Sequence, residues 1–144
     1  MADSYRDLIA WKKGRVFVHE IYRLTAAFPK EEMFGLTSQI RRAAVSIPSN
    51  IAEGKGRYSQ RDFLHFLLQA RGSINEVETQ LLLAQDLDYL PEEQTNQLLA
   101  QSKELGKILN GLISSLRKTT ESLFLSDLGF ELNLGAVSWF TCSL

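Results

Sequence analysis

From Leu98 onward the chain repeats an apolar or small residue at intervals of four, three, four, three and four: Leu98, Ser102, Leu105, Leu109, Leu112, Leu116. Side chains three or four apart share one face of an α-helix, so the spacing predicts a long helix with a continuous apolar seam. Such a seam has to be covered by other helices. The sequence upstream supplies three more segments of helical period, which makes an all-helical bundle the natural expectation.

The first segment, about residues 7 to 27, puts Trp11, Gly14, Val18, Ile21, Tyr22 and Thr25 on one face. Phe17 and Leu24 then fall on a second face, which a lone bundle would leave wet. Phe28-Pro29 ends the segment, because the residue before a proline is driven out of the helical region. The second segment, about 36 to 53, carries Leu36, Ile40, Ala43, Ile47 and Ile51. Pro48 lies inside it and is expected to kink the helix without breaking it, since the apolar period continues past it. Gly54 and Gly56 stop it.

The third segment opens at Ser59, with Asp62 three residues on, as in a capping box. Phe63, Phe66, Leu67, Ala70, Ile74, Val77, Leu81 and Ala84 make its core stripe. Leu64, Leu68 and Leu82 make a second stripe about 100° away. So wide an apolar arc implies two partners, and with Phe17 and Leu24 these leucines are the candidate contacts of an oligomer. The fourth segment starts at Leu90-Pro91-Glu92-Glu93, where a proline and acids suit a first turn. Links of about eight, five and three residues favour antiparallel neighbours.

We therefore expect an all-α, antiparallel up-down-up-down four-helix bundle over residues 1–122, followed by a short apolar C-terminal tail, 123–144. The tail holds no Lys or Arg, and Phe130, Leu132 and Leu134 alternate with Glu131 and Asn133 in a strand-like pattern. It is expected to pack on the bundle or on a neighbouring subunit.

The chain has 144 residues, enough for one domain with its own core. Its single cysteine, Cys142, excludes an intrachain disulfide and a cysteine-rich zinc site. The N-terminus lacks the layout of a signal peptide, and no apolar run reaches membrane length. These features point to the cytoplasm and to no membrane partner.

Enzymatic readings find no support. A di-iron bundle needs inward-facing Glu-x-x-His motifs, and neither His19 nor His65 follows a glutamate by three. Asp62 and His65 have the right spacing, but His65 lies opposite the core stripe and reads as a solvated histidine. Glu76 and Glu78, two apart on a helix, point in different directions and read as one solvated acid and one acid at the core edge. Zinc spacing, a nucleophile elbow, a phosphate-binding loop and a dinucleotide fingerprint are all missing from the sequence. We expect no cofactor, no metal site and no catalytic residues.

Charge is unevenly spread, which fits either a local anion-binding face or two oppositely charged surfaces meeting in an oligomer. Net charge is −1, yet residues 1–71 hold 12 Lys/Arg against 7 Asp/Glu. Between Arg41 and Arg61 five cations (Arg41, Arg42, Lys55, Arg57, Arg61) stand against one acid, Glu53. The loop Gly54-Lys55-Gly56-Arg57 runs into the start of the third helix, where free N–H groups favour anions. Lys12, Lys13 and Arg15 extend this candidate phosphate-contacting corner. The alternative from the same residues is that the arginines pair with acids of other helices and that the glycines only shape the turn.

Several stretches resemble one known family. They are Asp7-Leu8-Ile9-Ala10-Trp11-Lys12-Lys13, Phe28-Pro29-Lys30-Glu31-Glu32, Gly35 through Ala44, Ser46-Ile47-Pro48-Ser49-Asn50-Ile51-Ala52-Glu53-Gly54, Phe63 through Leu67, and Ala70 through Glu76. Together they resemble the 23S ribosomal RNA intervening-sequence proteins over roughly residues 7 to 118. The resemblance implies a four-helix bundle assembled as a ring, a homopentamer, in bacterial genomes. It also implies likeness to the accessory variability determinant of diversity-generating retroelements, which partners a reverse transcriptase and binds nucleic acid. It carries over no catalytic residue. The function expected is thus a non-enzymatic oligomeric bundle that binds or assembles with structured RNA. The alternative is a scaffold for an unidentified protein partner, without nucleic acid.

Overall fold

The computed structural model of the chain describes residues 4–127. Among them every regular element is helical: α1, Ile9–Thr25; α2, Leu36–Lys55; α3, Gln60–Asp86; α4, Glu92–Asp127; and short 3-10 turns at Tyr5–Asp7 and Lys30–Glu32. The fold is a four-helix bundle. The strand-like pattern at 130–134, Cys142 and the expected packing of most of the apolar tail lie outside the described residues. Helix α4 continues through Asp127, five residues into the segment read as tail.

Local chemistry explains the ends. Ser4 and Asp7 satisfy each other's backbone: Arg6 N–H donates to Ser4 Oγ and Ser4 N–H donates to Asp7 Oδ2, both at 3.2 Å. At the start of α3, Asp62 N–H donates to Ser59 Oγ at 3.0 Å, the hydroxyl half of the expected cap. Helix α2 closes on Gly56, whose N–H reaches the Ala52 carbonyl at 3.2 Å. The turn after α3 places Asp88 at φ 60°, a left-handed position that aspartate tolerates better than most residues.

Each helix packs on two others: α1 on α2 and α4, and α3 on α2 and α4. Across α1 and α2, Thr25 meets Arg41 while Gly14 meets Pro48. Across α2 and α3, Ser46 meets Ser73 while Gly54 meets Phe63. In both pairs residue numbers rise along one helix as they fall along the other, so these neighbours run in opposite senses. The core stripes of α2, α3 and α4 lie largely where the period placed them, with Ile40, Ile47, Ile51, Leu67, Val77, Leu81, Leu105 and Leu109 fully enclosed, but Leu36, Phe66 and Leu112 are half-buried and Ile113 takes the core place expected of Leu112.

Helix α1 requires a correction. Phe17 is 2% exposed and Leu24 9%, so both belong to the core of the chain itself and offer no surface for a subunit contact. The true inward stripe is Ala10, Gly14, Phe17, Ile21 and Leu24, a 4-3-4-3 repeat. Trp11 and Val18, read as core, are half-buried beside it, and Tyr22 is exposed. Small Ala10 and Gly14 hide this repeat, because neither announces itself as apolar in the way Trp11 does.

The contact between α2 and α3 tolerates the least. A Cβ on Gly54 would stand 2.6 Å from Phe66 Cβ and 2.9 Å from Phe63 Cδ2. Gly54 therefore sets how closely the two helices meet, whereas on the other side of α2 a Cβ on Gly14 would meet Pro48 at an ordinary 3.5 Å. By contrast a Cβ on Gly72 or Gly111 meets nothing within 4 Å. We expect Gly54→Ala to lower stability by about 1–3 kcal/mol through overpacking. Gly72→Ala and Gly111→Ala should raise it by about 0.5–1 kcal/mol by removing chain entropy. Urea unfolding followed by circular dichroism decides this, and a Gly54→Ala chain as stable as the parent would refute the close-contact account.

At the far end of the same bundle, the Tyr89 hydroxyl donates to Glu32 Oε1 at 3.2 Å and its ring rests 5.7 Å from that of Phe28. Loss of water around the phenol and then the Glu32 carboxylate push its pKa above the ordinary value. A raised folded pKa favours the neutral phenol, so its contribution is intact below about pH 10 and fades as pH climbs toward the folded value. The melting temperature of Tyr89→Phe should accordingly fall less steeply than the parent's above that pH.

Candidate nucleic-acid interface

The opposed run of α1 and α2 sets the start of α1 beside the end of α2, and α3 begins four residues after α2 ends. Lys12, Lys13, Lys55, Arg57 and Arg61 thus lie toward one end of the bundle, while Arg15, next to Gly14 and so level with Pro48, lies part-way along α2 between Lys55 and Arg42. Arg42 sits 13 residues before Lys55 on α2, about 20 Å along the axis. The eight cations read as one corner therefore divide into an end group of five, Arg15 part-way along, and a pair farther along α2.

The pair itself splits. Neighbours on a helix point about 100° apart, and Arg41 turns to α1 whereas Arg42 turns toward α3. Arg41 is half-buried; its Nε donates to Thr25 Oγ1 at 2.9 Å and its guanidinium lies 4.6 Å from the Tyr22 ring centroid. It fastens α2 to α1. Arg42 is exposed and borders a shallow depression with Gln39, Ser46 and Glu76.

In the end group two cations are already paired. Arg57 donates to Glu53 at 2.6 Å and lies 4.8 Å from the Phe66 ring; Lys13 donates to Glu104 of α4 at 2.9 Å. Both pairs are exposed, so each contributes little to stability and could exchange its carboxylate for a phosphate. Lys12, Arg15, Lys55 and Arg61 have no carboxylate within salt-bridge reach among the described residues. Lys55 is half-buried with its Nζ 5.9 Å from the Phe63 ring centroid, and Lys12 and Arg61 are exposed.

Beside this group runs a groove of about 350 Å³ between α1 and α2. One wall is Tyr5, Trp11 and Arg15; the other is Val45, Pro48 and Ser49. Tyr5 meets Trp11 edge-on at 5.2 Å, and Arg15 holds its guanidinium 5.0 Å from the Trp11 centroid. Sequence reasoning missed this feature because it took Trp11 for core and gave Tyr5 no role. The available signal was the short α1–α2 link, which forces Trp11 to lie near the end of α2.

The other candidates resolve plainly. His65 is exposed and bonds to Gln69; His19 is exposed beside Glu20. Glu76 is exposed and accepts from Gln80, whereas Glu78 is half-buried at the α3–α4 seam and accepts from Ser102. Among the described residues no three His, Cys, Asp or Glu side chains converge to hold a metal. No described helix is long and apolar enough to cross a membrane. Leu64 and Leu68 are half-buried and pack against the core, while Leu82 is exposed together with Leu83 and Leu87.

The Ser46–Gly54 run is chiefly packing. Ser46 bonds to Ser73, Asn50 Nδ2 donates to the Ser46 carbonyl, Ile47 and Ile51 fill the core, and Gly54 admits the phenylalanines of α3. Ser49 and Ala52 line the groove with Pro48, and Glu53 turns outward to Arg57. The family model described as 23S rRNA-intervening sequence protein matches residues 6–111, which spans this run, α1 to α3 and the first part of α4. The chain belongs to this family. A solved structure from the S23 ribosomal protein family of Bacteroides thetaiotaomicron, a protein described as of unknown function, is similar at 28% identity and a TM-score of 0.68, covering 74% of this chain and 96% of that one. No curated protein matches the chain.

Arg41 and Arg42 should behave as opposites despite their adjacency. Arg41→Ala removes a charged hydrogen bond and a ring contact, and is expected to cost about 1–3 kcal/mol of stability. Arg42→Ala should stay within about 0.5 kcal/mol of the parent. Thermal melts of the two single variants test the division, and equal losses would contradict it.

Proposed function

We propose that this chain is a non-enzymatic, RNA-associated binding or assembly factor that acts as a homo-oligomer. The observation that carries the reading is the set of Lys12, Lys13, Lys55, Arg57 and Arg61 toward one end of the bundle with Arg15 behind them, four of these six without a carboxylate partner among the described residues. Phosphate contacts need this arrangement: exposed, unpaired cations on rigid elements, beside the free N–H groups that open α3. The description of the matching family names a 23S rRNA intervening sequence, which supports RNA as the polyanion. Assembly as a ring, a pentamer as the family resemblance implies, repeats the cationic end several times, and multivalency makes weak sites effective.

The test is fluorescence-anisotropy binding of the nuclease-treated protein to a structured ribosomal RNA fragment across a salt series. We expect affinity to fall steeply with salt. The triple variant Lys12→Glu, Lys55→Glu, Arg61→Glu should bind at least about tenfold more weakly, with the logarithmic salt slope reduced by about two to three units. An unchanged slope in a folded triple variant would remove these residues from the interface.

A second reading, a protein-interaction scaffold without nucleic acid, draws on exposed Leu82, Leu83 and Leu87 of α3 and on Phe34, which is 94% exposed at the α1–α2 link. Failure of the parent protein to bind RNA even at low salt would select it over the first.

A further inference from the structure

We propose that the groove between α1 and α2 is a binding site for one unpaired nucleobase, placed so that the phosphates on either side of that base meet the cationic end of the bundle. The inference rests on the RNA reading above and deepens it: the RNA would be held where its strand is single, by base as well as by backbone.

Three observations converge on this. The groove has the right floor, because Trp11 and Tyr5 form an edge-to-face pair that offers aromatic surface at its mouth, and Val45 and Pro48 close the opposite wall. Aromatic faces with apolar walls accept a flat base of any sequence. The rim has the right charge, because Arg15 lines the groove and Arg6 lies 5.8 Å from the Tyr5 ring, while exposed Lys12 stands one residue on from Trp11, turned about 100° away from it. No acid lines the groove. Arg15 now caps the Trp11 ring at 5.0 Å, too close for a base to lie between them, so its planar guanidinium has to swing off the ring before a base can stack there. Finally the groove costs the fold nothing to keep open: Tyr5 and Trp11 are held by a capped turn and by α1, and Pro48 is fixed against Gly14. A site preformed in this way loses little entropy on binding.

Double-stranded RNA has no base free to enter, so the geometry selects loops, bulges and single-stranded ends. Lys12 and Arg15 would then take phosphates of the same strand, with Lys55 and Arg61 receiving its continuation.

The experiment compares two labelled ten-nucleotide strands on the full chain: an oligouridine and a strand of the same sugar-phosphate backbone lacking all bases. Each is titrated against the parent, Ser49→Trp and Arg15→Gln. Ser49 is an exposed residue on the rim, so tryptophan there fills the groove without entering the core; circular dichroism checks that the helices remain. We expect the base-bearing strand to bind the parent about tenfold tighter than the abasic strand. Ser49→Trp should erase that difference while leaving abasic binding unchanged, and Arg15→Gln should weaken both strands. If both strands bind the parent equally and Ser49→Trp is silent, the groove is no base site even though the cationic end still binds RNA. If Ser49→Trp instead alters the assembly mass in light scattering and leaves both affinities alone, the groove belongs to a contact between copies and the proposal is overturned. If neither strand binds the parent at low salt, the RNA reading falls and this one falls with it.

Discussion

The close approach of α2 to α3 at Gly54 governs the rest of the structure. With no side chain at that position, Phe63 and Phe66 can lie directly against the α2 backbone. The four-residue link between the helices then holds Lys55, Arg57 and Arg61 within a few residues of one another, at a fixed place relative to the core. On the opposite side of α2, Pro48 packs against Gly14 of α1 at ordinary contact distance, which sets Lys12 and Arg15 on that flank. A single helix carrying a glycine and a proline at chosen points therefore lies between both sets of cations. The proline gives up the N–H that would have served the Ala44 carbonyl, a loss the fold accepts in exchange for a compact surface against α1.

Three of the four helices were legible in the sequence because their stripes contain large aliphatic residues at strict helical intervals. The period of α2, α3 and α4 needs no tertiary information to read, and burial follows it almost residue by residue. Helix α1 was read correctly at Gly14, Ile21 and Thr25, but with Trp11, Val18 and Tyr22 in place of Ala10, Phe17 and Leu24. Its inward stripe begins with Ala10 and Gly14, whose apolar character is weak, and it competes with a parallel stripe of Trp11 and Val18 that is conspicuous but only half-buried. The consequence was functional, since Phe17 and Leu24 were assigned to a subunit contact when they are the core of the chain. A wide apolar arc on a helix that already has two neighbours inside the chain says nothing about a third outside it.

The candidate site was legible only as a list of cations. Sequence proximity grouped Arg41 with Arg42, yet a helix sends adjacent side chains to different neighbours, and one of them serves α1 as a fastening. Which lysines and arginines are paired depends on partners far along the chain, as the bond between Lys13 and Glu104 shows. No local pattern carries that information. The groove escaped notice for the same reason: Tyr5, Trp11 and Pro48 come from three separate elements and become neighbours only when α1 folds back on α2.

The division of labour within the Ser46–Gly54 run bears on how far kinship can carry function. Most of its side chains are spent on the two helix contacts just described, which makes the run a good marker of this bundle and a poor marker of any activity. A fold can host unrelated functions, so the argument for function has to come from residues that packing does not require. In this chain those are Lys12, Arg15, Arg42, Arg61 and Ser49, together with the outer faces of Tyr5 and Trp11. Apart from Arg42, they lie beside the groove or at the same end of the bundle, whereas the exposed leucines Leu82, Leu83 and Leu87 lie toward the end of α3 that leads away from that group. Cations and aromatic surface lie in one place and aliphatic surface in another, so substitutions in one region can be made without touching the other.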